Sequence, residues 1–98
     1  MERTLSIKEQ KPFPEAVFKV TIKEGDLQSK HIVTLHEPYY QELTSGVMPV
    51  EIFIRKAFIF LLNHEPKESI LKKFELPRIQ KYFPEFEDEA RAGFPSVE

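Results

Sequence analysis

The chain has 98 residues, with 14 Lys and Arg against 16 Asp and Glu, and a formal net charge of −2. That length is one domain's worth of chain, and with 41% hydrophobic residues it is too apolar and too weakly charged to be globally disordered. The absence of cysteine excludes a disulfide framework and a thiolate metal site, no apolar run reaches the roughly 18 residues a membrane-spanning helix needs, and the near-zero charge argues against a dedicated binder of nucleic-acid backbone.

Residues 1–15 are polar and carry Pro12 and Pro14. They read as a flexible tail, with Phe13 placed to tuck onto the domain. Met1-Glu2-Arg3-Thr4-Leu5 starts no apolar h-region, so no secretory signal is expected. With no cysteine either, the predicted location is cytoplasmic.

A single α+β domain is predicted over 16–92. Phe18, Val20 and Ile22 alternate with Lys19, Thr21 and Lys23, the period of a half-buried strand. Glu24-Gly25-Asp26 is turn chemistry. Beyond it, His31, Val33 and Leu35 share one face of a second strand, and Lys30, Ile32 and Thr34 share the other. A hairpin follows, with a loop longer than two residues and its register open.

From residue 36 the signals are helical. Pro38 suits the first helical position, where its missing N–H would be unpaired anyway. Tyr39, Leu43 and Val47 line a stripe and Gly46 caps a helix over about 38–45. After Pro49, Val50 to Asn63 is the strongest element. Its polar residues Glu51, Arg55, Lys56 and Asn63 fit an arc of about 140°, leaving roughly 220° apolar where a surface helix needs about 100°. Such a helix either runs through the centre of the fold or turns a second face to another chain. Ile54, Phe58 and Leu61 are the candidate partner contacts. Pro66, Pro77, Pro84 and Pro95 divide the last third into three short predicted helices, at 67–74, 78–83 and 85–91. Ile70, Leu71, Phe74, Ile79 and Phe83 point inward in these helices. Gly93 closes the domain, and 93–98 form a C-terminal tail.

Few residues form constellations that carry chemistry. The histidines are His31, His36 and His64, and His-Glu-Pro occurs at 36–38 and 64–66. No H-E-x-x-H spacing is present, and each triplet reads as a proline-initiated helix with an acidic start. No nucleophile elbow, phosphate loop or dinucleotide fingerprint exists, and the three glycines are scattered. No metal, cofactor or enzymatic activity is therefore expected. Glu85, Glu87, Asp88 and Glu89 suit a solvated helix start, where the dipole favours carboxylates. Charge is uneven: Lys67, Lys72, Lys73, Arg78 and Lys81 against Glu68 and Glu75 make 67–81 net +3, while 82–98 is net −4. Phe74, Tyr82 and Phe83 interleave the basic part, as base stacking beside phosphate contacts would require, but the stronger reading has them at helical spacing toward the core, with the lysines on the wet side. The two blocks have the signs to pair head-to-tail between subunits.

Two resemblances add to this. The run His31-Ile32-Val33-Thr34-Leu35, then a helix, then Gly46, then Glu51-Ile52-Phe53-Ile54-Arg55-Lys56-Ala57 resembles the ribbon-helix-helix family over about a third of the chain. That resemblance implies a dimeric DNA-binding regulator or antitoxin, with one strand from each chain entering the major groove. Lys30, Ile32 and Thr34 would be the base readers, and a phosphate would sit near Val50 and Glu51. The chain departs from the family's pattern: Ile32 is a poor reader, Glu51 would repel phosphate, and Phe18 to Ile22 offers a partner strand in the same chain. Across roughly 31–87, the runs Leu43-Thr44-Ser45-Gly46, Glu65-Pro66-Lys67-Glu68-Ser69-Ile70-Leu71 and Tyr82-Phe83-Pro84-Glu85-Phe86-Glu87 resemble short bacterial hypothetical proteins of unknown function. This second resemblance implies a compact hairpin-plus-helices domain and no assigned activity.

The sequence thus predicts a β-hairpin packed on four or five helices, with a central buried helix at about 50–63. The expected role is a small non-enzymatic interaction or regulatory module, homodimeric if the long helix turns its excess apolar surface outward. Its partner would be a protein, itself or another, with no membrane and with nucleic acid disfavoured by the charge.

Overall fold

The computed structural model describes residues 2–97; Met1 and Glu98, the outermost residues of the two predicted tails, lie outside the described residues. The elements in chain order are β1 (Arg3–Lys11), β2 (Glu15–Glu24), β3 (Leu27–His36), α1 (Glu37–Thr44), α2 (Val50–His64), a 3₁₀ turn (Lys67–Ser69), β4 (Lys73–Glu75), α3 (Arg78–Tyr82) and α4 (Phe86–Arg91). One four-stranded sheet runs in the order β1-β2-β3-β4. The first three strands form an antiparallel meander and β4 joins β3 in parallel. The class is α+β, as predicted, with four helices among the described residues. None of them is long and apolar enough to cross a membrane.

The alternation in β2 and β3 becomes burial. Ala16, Phe18, Val20 and Ile22 on β2 and His31, Val33 and Leu35 on β3 are all buried on one sheet face. Pairing runs from Glu15↔His36 to Glu24↔Leu27, so the turn holds only Gly25 and Asp26, not the longer loop expected. Leu27, Gln28 and Ser29 lack an apolar alternation, but backbone pairing does not require one. Gly25 sits at φ 63, at the first turn position, where a type II′ hairpin places glycine.

The N-terminal segment is no flexible tail. β1 pairs with β2 from Arg3↔Glu24 to Glu9↔Phe18, with an irregularity before Lys11↔Val17. Its alternation has only two apolar members, Leu5 and Ile7, both half-buried against the core, because an edge strand covers the rim of the sheet. Phe13 does tuck in, its ring 5.2 Å from that of Tyr40.

α1 ends where predicted. Ser45 (φ 55) and Gly46 (φ 74) take left-handed conformations, and Ser45 N–H donates to the Gln41 carbonyl. Tyr40 and Leu43 are its buried residues. Val47 lies beyond the helix end and is 84% exposed, so it lines no stripe.

In α2 most of the wide apolar arc is covered from two sides by the chain itself, and Ile52 stays exposed. Toward the sheet, the Phe58 ring lies 5.8 Å from His31 and 6.0 Å from Phe74. Toward the C-terminal segment, Phe60 meets Phe86 at 5.3 Å and Phe83 at 6.0 Å, while Phe53 meets Phe94 at 5.9 Å. The candidate partner contacts Ile54, Phe58 and Leu61 are 0%, 0% and 3% exposed. They pack into the chain's own core.

The predicted helix at 67–74 is replaced by the 3₁₀ turn and β4. β3 would otherwise leave an unpaired edge. β4 closes it: Ile32 N–H donates to the Lys72 carbonyl and Leu76 N–H to the Thr34 carbonyl. Ile70 and Phe74 remain inward, but Leu71 is exposed. The predicted C-terminal tail is likewise packed: Phe94 and Val97 are buried, and Phe94 N–H donates to the Glu89 carbonyl at 2.7 Å.

Candidate functional site

The inner face of the sheet carries the core. None of the residues pointing from the other face is buried, so no layer of the fold covers it. Strand pairing assembles that face from distant segments. One row crosses all four strands: Lys8 opposite Lys19, Lys19 opposite Ile32, and Ile32 opposite Lys73. The next rows are Ser6, Thr21 and Lys30, then Thr4, Lys23 and Gln28. On the far side of the lysine row lie Lys11, Val17, Thr34 and Glu75, followed by Glu15 and His36.

Charge on this face is one-sided. It holds six lysines against two glutamates, a net of +4, so the chain's total of −2 leaves −6 for everything else. Lys11 pairs with Glu15 at 3.1 Å. His36 Nε2 lies 3.4 Å from Glu75 Oε1 and 3.9 Å from Glu15 Oε2, so the carboxylates of the face gather at that end. The other five lysines, Lys8, Lys19, Lys23, Lys30 and Lys73, make no ion pair among the described residues. Two of them, Lys8 and Lys19, sit directly opposite each other. Like charges so placed destabilise a sheet by a few tenths of a kcal/mol to about 1 kcal/mol. Folding alone does not call for that arrangement.

The basic surface continues around the β4 edge. Arg78 and Lys81 join Thr34, Lys73 and Glu75 in lining a shallow depression of about 470 Å³. Lys67 does not contribute: it is buried and pairs with Glu68 and Glu24. The predicted 67–81 block is therefore split between Lys67, buried and paired with exposed Glu68, and the rim of the sheet face.

The acidic residues cross-link the helices instead of gathering into a site. Glu42 on α1 takes Arg91 at 2.6 Å, Glu87 accepts from the Tyr39 hydroxyl at 3.0 Å, Glu85 faces His64 at 3.3 Å, and Glu89 accepts from Ser96. Burial, reinforced by the Glu87 carboxylate, pushes the Tyr39 hydroxyl pKa upward.

The three histidines are dispersed. His31 is in the core, with Nδ1 2.7 Å from the Leu71 carbonyl and Nε2 2.9 Å from Ser29 Oγ. A carbonyl only accepts, so Nδ1 carries the proton and Nε2 accepts from the serine. Burial holds the His31 pKa below its ordinary value. His36 is on the open face, and His64 lies tilted between the Phe60 and Phe83 rings. Among the described residues no group of three or more His, Cys, Asp or Glu is placed to hold a metal ion. A separate pocket of about 230 Å³ opens between the end of α2 and α3, with Leu61, Ile70, Phe74 and Ile79 in its lining and Glu65 and Arg78 among its polar groups. Burial raises the Glu65 pKa. No histidine or cysteine lines the pocket.

Lys30, Ile32 and Thr34 do point outward together. Their strand is paired throughout with β2 and, at Ile32–Thr34, with β4. It has no free edge there for pairing across a two-fold axis, and the strand next to it is in its own chain. Lys19 and Lys23 were legible as the polar side of a predicted strand. Lys8 lies in the segment predicted as a tail, and Lys73 in the segment predicted as a helix. The usable signal was the Leu5, Ile7 alternation, which places Lys8 outward. Comparison with protein-family models, with curated proteins and with solved structures finds no match.

Proposed function

We propose that this protein is a small non-enzymatic interaction module that docks a polyanionic partner on its open sheet face. The carrying observation is that a chain of net charge −2 sets five unpaired lysines on one uncovered surface, two of them in direct opposition. Concentrating one sign of charge raises the local potential well above what the net charge suggests. Lys30 and Thr34 take part as members of that face, not as the readers of a two-fold ribbon. In this reading the module acts as a monomer, because α2 spends its apolar surface on its own chain.

The test is retention on immobilised heparin at pH 7, above the sequence pI of about 5.9. A uniformly charged anion would flow through, whereas the native chain is expected to be retained at low salt. The triple variant Lys8→Gln, Lys19→Gln, Lys30→Gln is expected in the flow-through. Equal elution of the two proteins would sink the proposal.

A further inference from the structure

The composition of the face narrows the partner. Protein-binding surfaces are anchored by aromatics, Met and Arg, and are depleted in Lys. Apart from Glu15, Glu75 and His36 gathered at one end, the rows described above offer Lys, Ser, Thr and Gln, with Val17 and Ile32 as half-buried apolar members and no Phe, Tyr or Trp. Lysines, hydroxyls and amides are the groups that contact phosphate oxygens and sugars. Surfaces that hold single strands add aromatic platforms on which bases stack, and none is present in these rows. Peripheral membrane surfaces pair their basic side chains with inserting Trp, Phe or Leu, also missing here.

The spacing fits a duplex. Neighbouring strands lie about 4.8 Å apart, so Lys19 and Lys73 are separated by roughly 10 Å across the uncharged Ile32, and the full row from Lys8 to Lys73 spans roughly 14 Å. A gap of that size straddles the B-DNA minor groove, about 6 Å wide, with lysines reaching the phosphates on either side. The minor groove of an A-form RNA helix is wide and shallow and fits the gap less well.

We infer that the open sheet face binds the phosphate backbone of duplex DNA, without base readout, by straddling the minor groove with Lys8 and Lys19 on one side and Lys73 on the other. This rests on the polyanion-docking reading above and names the occupant of the same surface.

Fluorescence anisotropy with a short labelled DNA duplex tests it. Three lysine–phosphate contacts predict a log–log salt slope of about −2.7, or about 40-fold weaker binding between 50 and 200 mM salt. Lys19→Gln should flatten the slope by about 0.9. Lys56→Gln, a charge change on α2 away from the sheet face, should leave it unchanged. Far-UV circular dichroism of each variant confirms that the fold is retained. Tighter binding to the matching single strand or to duplex RNA would overturn the assignment to DNA. Binding to polyglutamate or to phosphatidylserine vesicles without binding to the duplex would overturn this inference while the docking module stands. Binding to none of these polyanions would overturn both.

Discussion

Acidification should weaken this fold through one buried imidazole. His31 is 1% exposed, and its two ring nitrogens are engaged by the Leu71 carbonyl and the Ser29 hydroxyl in the neutral tautomer. Desolvation, the largest cause, lowers its pKa in the folded chain from the ordinary 6.5, the Leu71 hydrogen bond partly opposes this, and nearby Lys72 adds to the lowering. The unfolded chain binds the proton more readily, so the stability His31 contributes is fully present above about pH 6.5. It is lost as the pH falls from there toward the lowered folded value. A ring that stays neutral when folded loses up to about 1.4 kcal/mol between pH 7.5 and pH 5.5. Other contributions to the pH dependence are common to both proteins, so the clean measurement is a double difference. Urea unfolding of the native chain and of His31→Gln is followed at both pH values. Gln retains a donor for the Leu71 carbonyl but does not titrate. The advantage of the native chain over the variant should shrink by up to about 1.4 kcal/mol at the lower pH. Stability curves that stay parallel between pH 7.5 and 5.5 would refute the reasoning.

Three further outcomes are expected. Lys8→Glu gives Lys19 an opposite charge across the strand pair, so it should raise stability by about 0.2–1 kcal/mol while weakening retention on heparin; a lower melting temperature would contradict the register argument. Phe58→Ala, at a position with no exposure, should cost about 3–5 kcal/mol in urea unfolding, and the native chain should sediment as a monomer; a variant that changes only the association state would show that α2 faces a partner after all. Gly46→Ala puts a Cβ 3.1 Å from Gln41 Oε1 at φ +74, so a loss of about 1–2 kcal/mol is expected from the left-handed backbone, and an unchanged urea midpoint would rule that strain out.

Legibility followed the range over which each element is specified. β2 and β3 were read correctly because Phe18, Val20 and Ile22 answer Val33 and Leu35 through local alternation alone. α1 and α2 were bounded by Pro38, Gly46 and Pro49, whose backbone limits act on their immediate neighbours. β1 is not legible because an edge strand covers the rim of the core and needs only Leu5 and Ile7. β4 is not legible because Phe74 satisfies a helical stripe and a strand face equally well; the open edge of β3 decides between them.

By itself the sequence determined that α2 carries too much apolar surface for one neighbour, since that follows from the angular positions of Glu51, Arg55, Lys56 and Asn63. Only the tertiary structure decided what meets the excess: Phe83, Phe86 and Phe94 from the C-terminal segment. The candidate site shows the same division. Strand alternation put Lys19, Lys23 and Lys30 on the wet side of a hairpin, but the full face needs Lys8 and Lys73 as well. Those two are 65 residues apart in the chain and meet on one surface through sheet pairing. Periodicity along a chain reports which way a side chain points, and pairing between strands decides which other side chains point there with it.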